Sequence, residues 1–87
     1  MNLVLEIVND KGLHARASAK FVETVERFDA RARVSRDGME VSGDSIMGLM
    51  MLAAAKGTSI EVQVEGAEAA PLAVALSALV SGRFGEP

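Results

Sequence analysis

The spacing of apolar positions divides the chain into short strands and helices separated by polar turns. Branched or alternating apolar residues predict strands over residues 3–8, 31–36, 39–42 and 59–65. Apolar residues that recur at helical spacing predict helices over residues 15–28, 45–55 and 67–81. Lys56 and Gly57 suit the end of the second helix, because cations and glycine are favoured at helix C-termini.

The same pattern predicts which side chains form the core. In the strands, alternation points every second side chain inward: Leu3, Leu5, Ile7, Ile60, Val62 and Val64. In the helices, the apolar face carries Phe21, Val25, Phe28, Leu49, Leu52, Ala53, Leu72, Leu76, Leu79 and Val80. Asp37-Gly38 between two alternating segments predicts a hairpin with a type I′ turn. Pro71 is compatible with the third helix only in its first turn.

The element order is therefore βαββαβα, without a linker or repeat. Strands that alternate have one wet face, so the order predicts an α+β open-faced sandwich. Its four-stranded sheet is expected to be mainly antiparallel, with three helices on one face. At 87 residues, the chain is expected to form one domain over residues 1–87.

Composition excludes several classes of function. The chain has no cysteine, so disulfides and thiol chemistry are excluded. A net charge of -3 and the absence of Tyr and Trp argue against nucleic-acid binding. Neither a signal peptide nor an apolar run of about 18 residues is present. We therefore expect a soluble cytoplasmic protein.

The only histidine of the chain, His14, falls at the predicted start of the first helix. No Ser, Thr, Asp or Asn caps that helix, and Arg16 places a cation at the positive end of its dipole. One anion that accepts the free N–H groups and pairs with Arg16 would relieve both defects. The helix end also disfavours the imidazolium, so we expect a neutral, nucleophilic imidazole. The alternative is an incidental surface histidine. A metal site is disfavoured, because too few ligands are present.

The residues around His14 resemble a known family. Gly-Leu-His-Ala-Arg at positions 12–16, followed by Ala19, Phe21 and Val22, resembles the active-site motif of the HPr family. These proteins are histidine phosphocarriers of the phosphoenolpyruvate-dependent phosphotransferase system. Ser-Ile-Met-Gly-Leu-Met-Met-Leu at 45–52 and Ala-Lys-Gly at 55–57 resemble the second family motif, so the similarity covers essentially the whole chain.

The resemblance implies that His14 accepts a phosphoryl group from phospho-Enzyme I and passes it to an Enzyme IIA protein. Arg16 would hold the phosphoryl oxygens. It implies no cofactor, and a stoichiometric carrier with transferase-type chemistry rather than an independent turnover enzyme. The family commonly has proline after the arginine, where this chain has Ala17, a change that helix propensity tolerates. Ser18 could donate a local hydrogen bond, but it is expected to be an exposed residue without a special role.

Ser45 precedes an apolar helix, and its hydroxyl is predicted to cap that helix. The resemblance implies that Ser45 is also a regulatory phosphorylation site for an HPr kinase/phosphorylase. A phosphate at a helix N-terminus is compatible with the helix dipole.

Apolar residues surround the short second helix, so a part of them is expected to remain exposed. Flexible methionines suit a surface that docks several proteins. HPr relatives use this helix and the histidine helix to bind Enzyme I and Enzyme IIA, and the protein is expected to be a monomer. The predicted partner-binding residues are Ile46, Met47, Met50, Met51 and Lys20. Ala54 is expected between the methionines.

Two further hypotheses are compatible with the sequence. In the nitrogen-related branch of the family, phosphorylation of His14 and Ser45 would inform regulators instead of feeding sugar transport. Alternatively, the chain is a small enzyme on a ferredoxin-like or acylphosphatase-like frame, which shares much of the element order. No second acid or base stands beside His14 in the sequence, which argues against that enzyme.

Overall fold

A computed structural model describes residues 1–87. The strands are β1 (Asn2–Glu6), β2 (Arg31–Arg36), β3 (Met39–Ser42) and β4 (Ser59–Glu65). The helices are α1 (Ala15–Glu26), α2 (Ile46–Met51) and α3 (Ala69–Ser81), and a short helical turn, Arg83–Gly85, follows α3. None of the helices combines the length and the apolarity that a bilayer crossing requires.

The four strands form one antiparallel sheet in the order β1-β4-β2-β3. Central β4 shows the register: Val62 lies opposite Leu3 of β1 on one side and Val34 of β2 on the other. The predicted α+β fold with its antiparallel sheet is confirmed.

One face of the sheet is buried beneath the helices. In β4, Ile60, Val62 and Val64 are buried, whereas the residues between them are exposed. The helices add Phe21, Val25, Leu49, Leu72, Leu76 and Val80 to the core, with Phe28 and Leu79 partly buried against it. The alternation in the sequence therefore predicted the buried face correctly. Its apolar packing, at about 25 cal/mol per Å² of buried surface, is the main stabilising contribution.

Most element boundaries agree with the prediction. β2, β3 and β4 have the predicted bounds, and Asp37 (φ 51°) and Gly38 (φ 82°) have the two positive φ angles of a type I′ turn. β1 ends two residues early, and Ile7 instead bonds through its backbone to the turn that precedes β4. α1 also ends early, at Glu26, and α3 begins at Ala69, which leaves Pro71 in its first turn.

The second helix is much shorter than predicted. The prediction of residues 45–55 is wrong: α2 ends at Met51, and Ala53 has a left-handed φ of 50°. The carbonyl of Ala54 instead accepts the N–H of Leu13 at 2.9 Å, which ties this segment to the loop before His14. As a result, Ala53 is exposed and Ala54 is 2% exposed, the reverse of the prediction. This tertiary hydrogen bond takes the place of the last predicted turn of the helix.

Candidate functional site

The loop before α1 is held against the segment after α2. Gly12 has a φ of 67°, and a Cβ atom there would lie 2.6 Å from the Ala54 carbonyl oxygen. Only glycine fits this approach without strain, because it tolerates the left-handed backbone and adds no side chain. The adjoining Leu13–Ala54 hydrogen bond fixes the position at which His14 enters the helix.

His14 itself caps α1. Its backbone is extended, and its Nδ1 accepts the N–H of Arg16 at 3.2 Å. The expectation that the helix has no side-chain cap is therefore wrong. The imidazole has replaced the usual Ser or Asp oxygen as the acceptor, so the nucleophilic atom lies at the positive end of the helix dipole.

The second ring nitrogen of His14 contacts Glu86. Nε2 lies 2.5 Å from Oε2 of the carboxylate, and both side chains are partly buried. An ionised carboxylate can only accept, so Nε2 carries the proton and donates it. Nδ1 then keeps its lone pair, in agreement with its acceptance of the Arg16 N–H. The partners of the ring thus assign the tautomer.

Glu86 is held in its ionised form by its neighbours. The hydrogen bond from His14 lowers the pKa of this carboxyl, and a second bond, from Asn9, lowers it further. Asn9 Nδ2 donates to Glu86 Oε1 at 3.1 Å and to the Gly12 carbonyl at 2.8 Å. Asn9 is 1% exposed, so it fixes both the carboxylate and the loop from within the protein.

A surface cleft of about 330 Å³ lies over His14 and is large enough for a phosphoryl group. Its lining comprises Lys11, His14, Ala15, Arg16 and Glu86. Two cations therefore flank the imidazole, as an incoming anion requires, and the exposed Arg16 can offer a bidentate fork to its oxygens. The arrangement supports nucleophilic attack by Nδ1 on an electrophile that carries negative charge.

The residues after Arg16 are buried. Ala17 is fully buried, so a small side chain suits this position. Ser18 is also fully buried, and its Oγ donates to the Leu13 carbonyl at 3.3 Å. The expectation that Ser18 is exposed and without a role is wrong, and the alternative of a local hydrogen bond is the one observed, since its hydroxyl supports the loop before His14.

The predicted second site lies on α2, which packs against α1. Ser45 Oγ accepts the N–H of Gly48 at 3.0 Å, which confirms the predicted cap. Four large apolar side chains are exposed on this helix: Ile46, Met47, Met50 and Met51. We call these four residues the α2 patch. Lys20 is engaged within the chain, because its Nζ donates to the Phe84 carbonyl at 2.6 Å.

Sequence reasoning missed Glu86 and Asn9. Glu86 is 72 residues from His14 along the chain, and no motif or periodicity joins the two. Asn9 stands in a stretch of the sequence that is typical of a loop, where asparagine usually serves a turn. Only its burial and its two hydrogen bonds in the folded protein mark Asn9 as structural.

Comparisons with known proteins place the chain in one family. The family described as "PTS HPr component phosphorylation site" matches residues 3–82. Phosphocarrier protein HPr of Neisseria meningitidis serogroup A is 52% identical over 82 residues, which cover 94% of this chain and 92% of that protein. The Pseudomonas aeruginosa protein of the same name is 45% identical over 97% of this chain and 94% of its own length. The crystal structure of HPr-C-His from Thermoanaerobacter tengcongensis superposes with a TM-score of 0.94 at 36% identity, covering 100% of this chain and 98% of that one.

Proposed function

The chain belongs to the HPr family of phosphotransferase-system phosphocarriers, and on that premise we propose that His14 accepts a phosphoryl group from phospho-Enzyme I and passes it to an Enzyme IIA protein. The observation that carries the proposal is the placement of Nδ1. Its lone pair faces the N-terminus of α1, where it accepts the Arg16 N–H, and it lies beside an exposed arginine side chain. We place this transfer in the cytoplasm, where it would supply phosphoryl groups for sugar transport.

The transfer step needs only one nucleophilic atom. The Nδ1 lone pair forms a bond to phosphorus while the bond between phosphorus and its carrier atom on Enzyme I breaks, and that electron pair leaves with Enzyme I. Nε2 keeps its proton, so the phosphorylated ring is positively charged. The reverse sequence of bond changes delivers the group to Enzyme IIA.

The groups around Nδ1 match the charge that moves. The Arg16 N–H leaves Nδ1 and becomes available to a phosphoryl oxygen, as other helix N-termini bind anions. The Arg16 guanidinium then holds further oxygens, which stabilises the charge of the transferring group. Lys11 adds positive charge to the same cleft.

We propose that the α2 patch is the docking surface for both protein partners. Membership of the family implies Enzyme I and Enzyme IIA as those partners. The patch is apolar and exposed, and α2 packs against the helix that carries His14. Lys20 of α1 is the proposed polar contact for the same partners, a role that it would share with its bond to Phe84.

Incubation with phosphoenolpyruvate and Enzyme I tests the carrier role. We expect intact-mass analysis to detect one acid-labile phosphoryl group on the wild-type protein and none on His14→Ala. Addition of an Enzyme IIA protein should then remove that group. A labelled His14→Ala variant, or an acid-stable adduct, would contradict the proposal.

We propose a second phosphorylation site at Ser45, acted on by an HPr kinase/phosphorylase. Ser45 Oγ accepts one hydrogen bond and is partly exposed, so its proton is not committed to that contact. A phosphate there would add about two negative charges beside the α2 patch and oppose a partner that already carries a phosphoryl group. Because a helix N-terminus favours negative charge, a phosphate on Ser45 would leave the fold intact.

Labelling with purified kinase and ATP tests this second site. We expect an acid-stable phosphate on the wild-type protein, its absence on Ser45→Ala, and slower acceptance from Enzyme I after labelling. The exposed Ser59 of β4 offers a matched control, Ser59→Ala, which should be labelled like the wild type. Failure of the wild-type protein to label would contradict the proposal.

A further inference from the structure

The segment that follows α3 turns back toward His14. Arg83 (φ 59°), Phe84 (φ 55°) and Gly85 (φ 76°) are three successive residues with left-handed backbone. Residues other than glycine rarely adopt this backbone conformation, so contacts with the rest of the protein must hold the segment in place. Phe84 is buried in the core, and its carbonyl accepts the Lys20 ammonium at 2.6 Å. The segment is thereby anchored at Phe84, two residues before Glu86.

The anchored segment presents the Glu86 carboxylate to two donors. Oε2 lies 2.5 Å from His14 Nε2, and Oε1 accepts from Asn9 Nδ2 at 3.1 Å. Asn9 is buried and also bonds to the loop through the Gly12 carbonyl. Both oxygens are therefore committed, and the orientation of the carboxylate is determined from two sides.

This geometry gives the carboxylate two effects on the imidazole. It requires the proton on Nε2, which leaves Nδ1 as the nucleophile. It also places a negative charge beside the ring, which becomes positive when Nδ1 bonds to phosphorus. A carboxylate that orients a histidine and stabilises its cationic form has the same relation to the ring in hydrolase triads.

We infer that Glu86 is a positioning residue for phosphoryl transfer, which holds the Nε2–H tautomer of His14 and stabilises the charge on the phosphorylated ring. This inference rests on the proposed function of His14. Asn9 and Lys20 support it indirectly, since Asn9 orients the carboxylate and Lys20 anchors its segment. Phosphoryl oxygens do not displace Glu86, because the two act on different ring nitrogens.

Nitrogen NMR of the unphosphorylated protein tests the tautomer without any transfer. We expect the Nε2–H form to dominate in the wild type and in Glu86→Gln, because the glutamine carbonyl still accepts that proton. Glu86→Ala should show a mixture of the two tautomers. Glu61→Ala, on the exposed face of β4, is the matched control and should resemble the wild type.

Rapid-mixing measurements of phosphoryl acceptance from Enzyme I test the second effect. Replacement of the buried aspartate in a hydrolase triad lowers the catalytic rate about 10⁴-fold. Glu86 is partly exposed, so we expect a smaller effect, with about tenfold slower transfer in Glu86→Ala. Glu86→Gln should fall between this variant and the wild type, because it restores the tautomer but not the charge. Urea unfolding verifies that each variant is folded under the assay conditions.

The outcomes separate the two proposals. Wild-type tautomer populations and rates in Glu86→Ala would overturn the inference and leave the carrier role intact. A wild-type protein that accepts no phosphoryl group would overturn the carrier role, whatever the NMR measurement of the His14 tautomer shows.

Discussion

Two opposing fields act on the His14 ring. The N-terminus of α1 disfavours positive charge near Nδ1, whereas the Glu86 carboxylate favours a proton on Nε2. Since the two act on different nitrogens, they are compatible with one tautomer, in which Nδ1 accepts the Arg16 N–H and Nε2 donates to Glu86. This asymmetry suits the proposed role of His14, which is to accept and then release a phosphoryl group.

The first prediction concerns the pH dependence of stability. The folded protein lowers the pKa of Glu86 through bonds from His14 and Asn9, with a further contribution from Lys11. The stabilisation is therefore complete above the ordinary glutamate pKa of about 4.3 and is lost as the pH falls through the folded value. The free energy of unfolding of the wild type should exceed that of Glu86→Gln at about pH 6, and the difference should shrink toward about pH 3.

Urea unfolding of the two proteins across that range measures this difference. A difference that is constant with pH would contradict the assigned contact between Glu86 and His14.

At the scale of residues, the sequence identified local features and missed distant ones. His14 and Arg16 could be found because one helix turn places them together, and Ser45 because a cap lies next to its helix. Glu86 could not be found, since its contact with His14 depends on how α3 and its following turn pack. Ser18 was misjudged because the sequence does not show that the loop before His14 folds over the start of α1.

At the scale of elements, the shortened end of α2 is the most informative departure from the prediction. Apolar spacing and Lys56-Gly57 both favour a longer helix. The structure replaces its last turn with the Leu13–Ala54 hydrogen bond, because that bond closes the loop before His14. Strand bounds were predicted well, since alternation ends sharply. Helix ends were predicted less well, since capping depends on tertiary partners.

The second prediction tests this junction with Gly12→Ala. Left-handed alanine costs about 1–2 kcal/mol, and overpacking against the Ala54 carbonyl about 1–3 kcal/mol more. Gly57→Ala is the matched control, because Gly57 also has a positive φ but open space where an added Cβ would lie. Urea unfolding should show a loss of stability in Gly12→Ala larger by at least about 1 kcal/mol. Equal losses would show that the close approach has no energetic weight.

The third prediction concerns the α2 patch. Met47 is 76% exposed, so Met47→Asp should leave the fold almost unchanged. A charge within an apolar interface should weaken docking by at least about 1.4 kcal/mol, which is about tenfold in transfer at low carrier concentration. Val74→Asp on α3 is the matched control, because Val74 is 70% exposed and lies on another helix. Unchanged transfer kinetics in Met47→Asp would refute the patch.

At the scale of the whole molecule, the candidate site is assembled from segments that are distant in the sequence. The loop before α1, the start of α1, the segment after α2 and the turn after α3 are joined by the Leu13–Ala54, Asn9–Glu86 and Lys20–Phe84 hydrogen bonds. No strand residue lines the cleft over His14. This arrangement explains how so small a protein can hold the proposed phosphoryl acceptor at its surface while its core remains apolar.

The central claim is that His14 carries the phosphoryl group on Nδ1. The most direct measurement is the phosphorus–nitrogen coupling in NMR spectra of the nitrogen-labelled protein after phosphorylation by Enzyme I and phosphoenolpyruvate. We expect coupling of phosphorus to Nδ1 and a retained proton on Nε2. Coupling to Nε2, or the absence of any coupling to His14 in a phosphorylated protein, would contradict the account.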